Sequence, residues 1–214
     1  MLKNSNELPI FRLIIPTYPE VNIFTHIAKK TTALGPVMVA TAADKLENVR
    51  VEIIDENNCR GVERDNNGFL NHQKLQQKRP ASVVGFYCGL SSTMPRVWDL
   101  AEFYKSQGVF TIAGSWHAHY LPEESLRQKI DVVVHGDGEA VIKKMLSILI
   151  ETGFSKDSIS DIPGISFLEN ERMKTNPAFR VADLNRLPYP NFGLLRNARI
   201  KIYPIGRIRG CSKR

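Results

Sequence analysis

The hydrophobic positions in the first 150 residues fall into five short, continuous runs. These runs are FRLIIP (11–16), VEIID (51–55), SVVGFY (82–87), VFTIAG (109–114) and DVVVHG (131–136). Continuous rather than alternating runs are typical of parallel strands that are covered on both faces. The pattern therefore predicts five parallel strands at the centre of the fold.

The segments between these runs carry helical signals. Gly35-Pro36 predicts a helix start, because proline is preset for the first helical turn. Thr93 is expected to cap a helix over PRVWDLAEFYKSQG, which Gly108 ends. Three further helices are predicted, over 71–80, 122–129 and 139–153.

Alternating strands and helices predict right-handed crossovers and an α/β fold. We expect a doubly wound, flavodoxin-like (Rossmann-like) architecture with a five-stranded parallel sheet over residues 9–153. After residue 153 the sequence pattern changes. Residues 154–195 are predicted to form a small β-hairpin, which turns at 169–171, and a proline-containing linker. Ligands of such sheets bind beyond the carboxyl ends of the strands, so the loops that leave each strand are the candidate sites.

Composition narrows the class of protein. Of the 214 residues, 43% are hydrophobic and 24% are charged, as in an ordinary soluble globular protein. No apolar run approaches the roughly 18 residues that a membrane span needs, so no membrane partner is expected. Cys59, Cys88 and Cys211 are scattered and odd in number, which indicates a reducing, cytoplasmic setting rather than a disulfide framework.

The net charge of +7 is confined to the end of the sequence. Residues 196–214 contain seven basic side chains and no acidic one, so the first 195 residues are formally neutral. A basic tail can bind phosphates, but a neutral body disfavours a dedicated nucleic-acid-binding surface.

The loop after the third run, CGLSSTMP (88–95), offers three hydroxyl groups just before a helix. They belong to Ser91, Ser92 and Thr93. A strand end that meets a helix N-terminus suits anions or the polar edge of a ligand. Ordinary helix capping explains the same residues equally well.

The loop after the fourth run combines small and aromatic residues. Gly114 and Ser115 allow the backbone to approach a ligand closely, and Trp116 with His117 could wall a pocket for a flat ligand. Alternatively, Trp116 packs against the sheet. A metal site on His117 and His119 is disfavoured, because no third ligand lies at a recognisable spacing.

The loop after the fifth run, HGDGEAV (135–141), places glycines on both sides of an acid. Gly136, Gly138 and Glu139 do not have the spacing of a P-loop or of GxGxxG. The segment is interpreted either as a structural turn or as a backbone-lined wall for a neutral ligand that carries hydroxyl groups.

The order of these parts resembles the N-terminal cobalamin-binding domain of B12-dependent radical SAM proteins. Gly114-Ser115-Trp116-His117 is similar to that family's Gly-Gly-x-His-like turn, and VVVHGDGE (132–139) to its VV-x-G-E-G-E segment. DLNRLPYP (183–190) looks like its acidic-Leu-Pro-x-Pro bridge. RGCSKR (209–214) looks like the start of its CxxxCxxC cluster motif. The likeness runs from about residue 10 to the last residue.

The sequence departs from that family in three places. Ser115 stands where a second glycine is usual, and Asp137 replaces the usual glutamate. No Asp-x-His-x-x-Gly motif supplies a lower axial histidine to cobalt, as is also true of many radical SAM relatives. His26 follows the first strand, but a lone loop histidine is more often solvated than a ligand.

The resemblance implies cobalamin as cofactor and a corrinoid as the small-molecule partner. The implied cofactor contacts are Ser91, Ser92, Thr93, Gly114, Ser115, His117, Gly136, Gly138 and Glu139. Cys211 would be one of three thiolates that hold a [4Fe–4S] cluster, which chelates S-adenosylmethionine, and both belong to the intact protein. We expect 196–214 to begin a truncated radical SAM barrel, with its first strand. In the intact protein the expected reaction type is methyl transfer or related radical chemistry; this chain alone is not expected to be catalytic.

Two other function classes remain open. One is a non-catalytic, flavodoxin-like module that senses a ligand or regulates a partner. A phosphoacceptor receiver is disfavoured within that class, because FRLIIPTYPE (11–20) has no paired aspartates. The other is an RNA-modifying radical SAM protein without B12, which only the basic tail favours.

Overall fold

Five parallel strands form the centre of the protein, whose computed structural model describes residues 7–19, 25–178 and 183–206. They are β1 (Ile10–Ile15), β2 (Arg50–Asp55), β3 (Val83–Tyr87), β4 (Phe110–Gly114) and β5 (Val132–Val134). Their order is β2-β1-β3-β4-β5, and each neighbouring pair is parallel. The predicted doubly wound α/β fold is confirmed, and strand order reverses between β1 and β3.

A hairpin extends this sheet to seven strands. It comprises β6 (Ile165–Glu169) and β7 (Arg172–Thr175), and it turns at Asn170 and Glu171, as the sequence predicts. β6 pairs antiparallel with β5, so the hairpin belongs to the main sheet instead of following it as a separate element. The inner half of β6 is buried, because it covers an edge of β5 that would otherwise be open.

Helices cover both faces of the sheet. α2 (Leu34–Ala43) and α7 (Gly138–Glu151) pack together on one face. α3 (His72–Lys78), α4 (Met94–Ser106) and α6 (Pro122–Arg127) contribute to the core of the other. The short helices α1 (Thr25–Ala28) and α5 (Trp116–Tyr120) were not predicted, because four or five residues are too few to show a helical period.

Alternation along the strands divides the core into two layers. Phe11 and Leu13 of β1 point to the layer under α2 and α7, whereas Ile10 and Ile14 point to the layer under α4. Successive side chains of a strand lie on opposite faces of the sheet. Residues two apart on one strand therefore face the same layer, together with the residues opposite them on the neighbouring strands.

The segment after residue 190 returns along β2, the outer strand of the sheet, where Leu195 pairs in parallel with Ile53. The amide of Asn191 donates to the hydroxyl of Thr41 over 2.8 Å, and the amide of Arg196 donates to the carbonyl of Ile53 over 2.9 Å. Residues 196–206 contain no strand, and the expected start of a barrel over 196–214 stays a prediction. The rest of that predicted segment, including Cys211, lies outside the described residues. The proposed boundaries at 153 and 195 stay predictions.

Within the described ranges, none of the helices combines the length and the apolar character that a membrane crossing requires.

Candidate functional site

A cavity of about 360 Å³ opens at the carboxyl ends of β3, β4 and β5. It lies on the face that α2 and α7 cover. Its floor is formed by side chains or backbone of β1, β3 and β4, namely Phe11, Leu13, Gly85, Ile112 and Gly114. An apolar recess at this edge of a doubly wound sheet is where such folds bind ligands.

Two glycines recess the floor of the cavity. A Cβ atom at Gly85 would lie 3.2 Å from the ring of Phe11, whereas one at Gly114 would meet nothing closer than the carbonyl of Val134 at 3.9 Å. Glycine inside a strand often marks a bulge or a place where another group approaches the backbone closely, and at Gly85 that group is the ring of Phe11. Gly85 was missed in the sequence analysis, although a lone glycine inside an apolar run is that signal.

The walls of the cavity come from the beginnings of α2 and α7. Leu34, Met38 and Val39 face it from α2, and Gly206 of the returning segment completes the rim. A Cβ atom at Gly138 would lie 3.1 Å from Cγ2 of Val39, so glycine there permits the two helices to approach closely. Sequence patterns could not assign these wall residues, because they come from segments that are distant along the chain.

The structure brings five of the nine predicted cofactor contacts to this cavity. They are Gly114, Ser115, Gly136, Gly138 and Glu139. Glu139 is buried at the first turn of α7. The loops after β4 and β5 therefore lie side by side, as expected of strand-end loops.

The loop after β3 does not line the cavity. Ser91, Ser92 and Thr93 form a 3₁₀ turn that leads into α4, on the opposite face of the sheet. The Thr93 side chain does not cap α4 as predicted, because its hydroxyl donates to the carbonyl of Leu90 over 2.8 Å.

His117 also lies away from the cavity lining and ties two loops together. Its Nδ1 atom is 2.9 Å from Oγ of Ser91, and its Nε2 atom is 3.3 Å from a carboxylate oxygen of Glu124. Trp116 is 65% exposed and stacks on Tyr120, so it does not pack against the sheet. Trp116 is thus available to a ligand that protrudes from the cavity beside Ser115.

Ser115 adopts a backbone conformation that strongly favours glycine. Its φ is 87° and its ψ is −174°, a region that side chains with a Cβ atom rarely enter. The family resemblance had already marked this position as one where glycine is usual. The strained turn directs the chain from β4 into α5 at the rim of the cavity.

Replacement of Ser115 by glycine should stabilise the protein by about 1 kcal/mol, because the strain at this turn is relieved. Urea unfolding of the two proteins measures the difference. Ser91→Gly is the control, since a glycine in the helical 3₁₀ turn should destabilise by a similar amount. Equal destabilisation by both substitutions would show that the backbone of Ser115 is not strained.

Two tyrosines stand where the strand order reverses. Burial raises the pKa of Tyr18 to about 12, with added contributions from Tyr87 and Asp55. Burial also raises the pKa of Tyr87, against an opposing interaction with the Ser115 side chain. Both phenols therefore remain protonated at neutral pH. Tyr87 lines the cavity and gives its rim a neutral hydroxyl group.

The described cysteines are unsuited to ligate a cluster. Cys59 and Cys88 are buried, and burial raises the pKa of each thiol to about 12. Metal ligation requires thiolate. In the described ranges no group of three or more His, Cys, Asp or Glu residues could hold a metal ion. The one predicted metal ligand, Cys211, lies beyond those ranges.

A buried polar network lies on the opposite face of the sheet and was missed in the sequence analysis. Arg12 is fully buried, and its Nε atom donates to Glu52 over 2.7 Å. Its Nη1 atom donates to the hydroxyl of Tyr104 over 3.1 Å. Tyr104 in turn lies 2.7 Å from Nδ1 of His72. The signal in the sequence was a single charged residue inside each of two apolar runs, Arg12 in 11–16 and Glu52 in 51–55, with opposite signs.

The network fixes the tautomer of His72. Arginine only donates, so the Tyr104 hydroxyl accepts from Arg12 and is free to donate to Nδ1 of His72. Nε2 of His72 then carries the proton that faces Glu56, 3.1 Å away. Burial lowers the pKa of His72, which keeps the ring neutral. Burial would raise the pKa of Glu56, but hydrogen bonds from His72 and Arg96 outweigh it and lower the pKa to about 2.

Comparison with known proteins gives a structural likeness without a sequence match. No family model matches the sequence, and no curated protein matches it. The structure resembles that of the cobalamin-dependent S-adenosylmethionine radical enzyme OxsB with aqua-cobalamin bound, with a TM-score of 0.64 and 17% sequence identity. The likeness covers 86% of this chain and 24% of that one, so this chain spans about a quarter of the enzyme's length. At this identity the likeness establishes a shared fold.

Proposed function

We propose that residues 9–153 bind cobalamin and form the cobalamin-binding domain of a radical SAM protein. The observation that carries this proposal is the glycine-floored apolar cavity at the carboxyl edge of the sheet. The fold shared with an enzyme that holds aqua-cobalamin supports it. The order of the strand-end loops supports it independently.

The cavity fits one part of cobalamin well. The corrin macrocycle is much wider than the recess, whereas the nucleotide tail of cobalamin ends in a flat, apolar benzimidazole. Ile112 and Val134 of the sheet and Ile142 of α7 give the recess apolar walls. We therefore place the base inside the cavity and the macrocycle outside it, next to the exposed Trp116.

The polar rim suits the sugar of the tail. Ser115, Gly136, Gly138 and Glu139 present a hydroxyl group, backbone amides and a carboxylate at the mouth. The carboxylates of Asp137 and Glu139 would repel a phosphate group at this rim. They readily accept hydrogen bonds from ribose hydroxyl groups, however, so the rim suits the sugar. Ser91, Ser92, Thr93 and His117 do not line the cavity, so their predicted contacts are limited to the macrocycle.

Bound cobalamin would supply a cobalt centre that can carry a methyl group. This chain's own residues would anchor the tail, exclude water from the base and orient the macrocycle. The [4Fe–4S] cluster and S-adenosylmethionine would act in the intact protein, where Cys211 would be one cluster ligand. Methyl transfer is the reaction proposed for that protein, with this domain holding the corrinoid.

Equilibrium dialysis with two corrinoids tests the proposal. We expect stoichiometric binding of cyanocobalamin and at least about tenfold weaker binding of cobinamide, which lacks the tail and leaves the apolar walls unfilled. If neither corrinoid binds, the proposal is refuted. Binding of a different flat ligand, such as a flavin, in the same assay would favour the ligand-sensing alternative.

A further inference from the structure

Two histidines join the two loops that line the cavity. His119 of α5 and His135, which follows β5, place their Nδ1 atoms 3.0 Å apart. Ser115 precedes α5, and Gly136 follows His135, so each histidine lies close to a rim residue. The pair therefore connects the loop after β4 to the loop after β5.

The hairpin anchors this pair on its other side. Nε2 of His135 lies 2.7 Å from Oγ of Ser166 on β6, and that hydroxyl lies 2.7 Å from Oγ1 of Thr175 on β7. His135 is buried, whereas His119 is half-buried. His135 is thus held in place, and His119 is the partner that can move.

The contact depends on the protonation state of both rings. A hydrogen bond between two Nδ1 atoms needs one N–H group and one bare nitrogen. One extra proton is tolerated, because a protonated ring can still donate to its neutral neighbour. Protonation of both rings places two N–H donors and two positive charges opposite each other, which breaks the bond.

The other charged groups near the pair have partners of their own. On α6, Glu123 pairs with Arg127, and Glu124 faces His117. On β6 the neighbour of His135 is the uncharged Ser166. Asp137 and Glu139, which follow His135 along the chain, make interactions of their own. Among the described groups, His119 is the one that adds an electrostatic effect on His135, and this effect lowers the pKa of His135.

We propose that the His119–His135 pair positions the two cavity-lining loops, and that protonation of both rings releases them and weakens corrinoid binding. The positioning role rests on the geometry of the pair alone. The effect on affinity rests on the proposed function.

The direction of the pH dependence follows from the burial of His135. Burial lowers the pKa of His135, and the charge of His119 lowers it further. A depressed pKa in the folded state means that the bond is fully present above the ordinary histidine value, about 6.5, and is lost as the pH falls through the lower value of the folded state. The loops should therefore be joined at pH 7.5 and released at acidic pH.

Hydrogen exchange of the unliganded protein tests the positioning role. At pH 5.5, after correction for intrinsic exchange rates, amides of 114–120 and 135–139 should exchange faster than at pH 7.5. His119→Asn is the matched variant, because its amide stands where Nδ1 stood but does not titrate. Its exchange in these segments should not depend on pH. Equal pH dependence in both proteins, or none in the wild type, would overturn the positioning role.

Titration with cyanocobalamin between pH 5.0 and 8.0 tests the effect on affinity. The dissociation constant of the wild type should rise below pH 6.5 by up to tenfold per pH unit, the limit for one coupled proton, and that of His119→Asn should stay flat. A flat wild-type profile overturns the coupling. No binding at any pH refutes the proposed function and the coupling together, and hydrogen exchange then decides the positioning role by itself. His135→Asn repeats both measurements should His119→Asn fail to fold.

Discussion

Replacement of Gly114 by leucine should weaken corrinoid binding about 100-fold and at the same time stabilise the unliganded protein. Gly114 ends β4, and alternation along the strand directs a side chain at this position into the cavity. A new Cβ atom there would meet nothing closer than 3.9 Å, so the fold accepts it. The leucine would then occupy the space in which we propose that the base of the corrinoid lies.

The two effects have separate physical causes. Overpacking a site costs about 1–3 kcal/mol, so the affinity for cyanocobalamin should fall by about 100-fold, at tenfold per 1.4 kcal/mol. Loss of a flexible glycine from a strand, together with apolar burial, should raise the free energy of unfolding by about 1 kcal/mol. Binding and stability therefore change in opposite directions, which distinguishes a blocked cavity from a damaged fold.

Dialysis and urea unfolding measure the two effects on the same preparation. Gly114→Ala should give an intermediate loss of affinity, because one methyl group fills only part of the recess. Glu102→Leu is the control, since it adds the same side chain on the exposed face of α4 and should leave the affinity unchanged. Unaltered affinity in Gly114→Leu would show that the ligand does not enter this cavity.

The strands could be predicted because burial on both faces leaves a simple mark on the sequence. Each continuous apolar run became a parallel strand within two residues of its predicted bounds. The place of the hairpin in the sheet could not be predicted, because local alternation does not reveal which edge a strand will join. The buried serine in β6 acquires its meaning only through its contact with His135.

The site was predictable in part, for a related reason. Strand-end loops gather at one edge of a parallel sheet, which brings Ser115 and Gly138 to the same rim. The direction of each side chain depends on which face the following helix covers, so Ser91 and His117 were placed with the rim although they lie away from it. Val39 of α2 reaches the cavity only through tertiary packing.

Removal of one member of the buried pair Arg12–Glu52 should give the largest loss of stability in the described part of the protein. The two residues lie opposite each other on β1 and β2, almost wholly buried, with Nε and Oε1 2.7 Å apart. Glu52→Leu leaves a buried guanidinium without its carboxylate, which should cost about 3–5 kcal/mol. Arg12→Met should cost less, because Arg79 still reaches Glu52, with Nη2 2.9 Å from Oε2.

The double substitution separates the pair from its surroundings. With Arg12→Met and Glu52→Leu combined, the charges that still lose a partner are Arg79 and Arg196, whose side chains are 35% and 48% exposed and can be solvated. Most of the loss in Glu52→Leu should therefore be recovered, to within about 1–2 kcal/mol of the wild type. Urea unfolding at pH 7 measures the four proteins. Lys174→Met, which breaks the exposed pair with Glu169, is the control and should cost under about 1 kcal/mol. Strictly additive losses would mean that Arg12 and Glu52 do not depend on each other.

This network lies on the face of the sheet away from the cavity, so the double variant should bind cyanocobalamin as the wild type does. Stability and binding can therefore be changed independently on the two faces of one sheet.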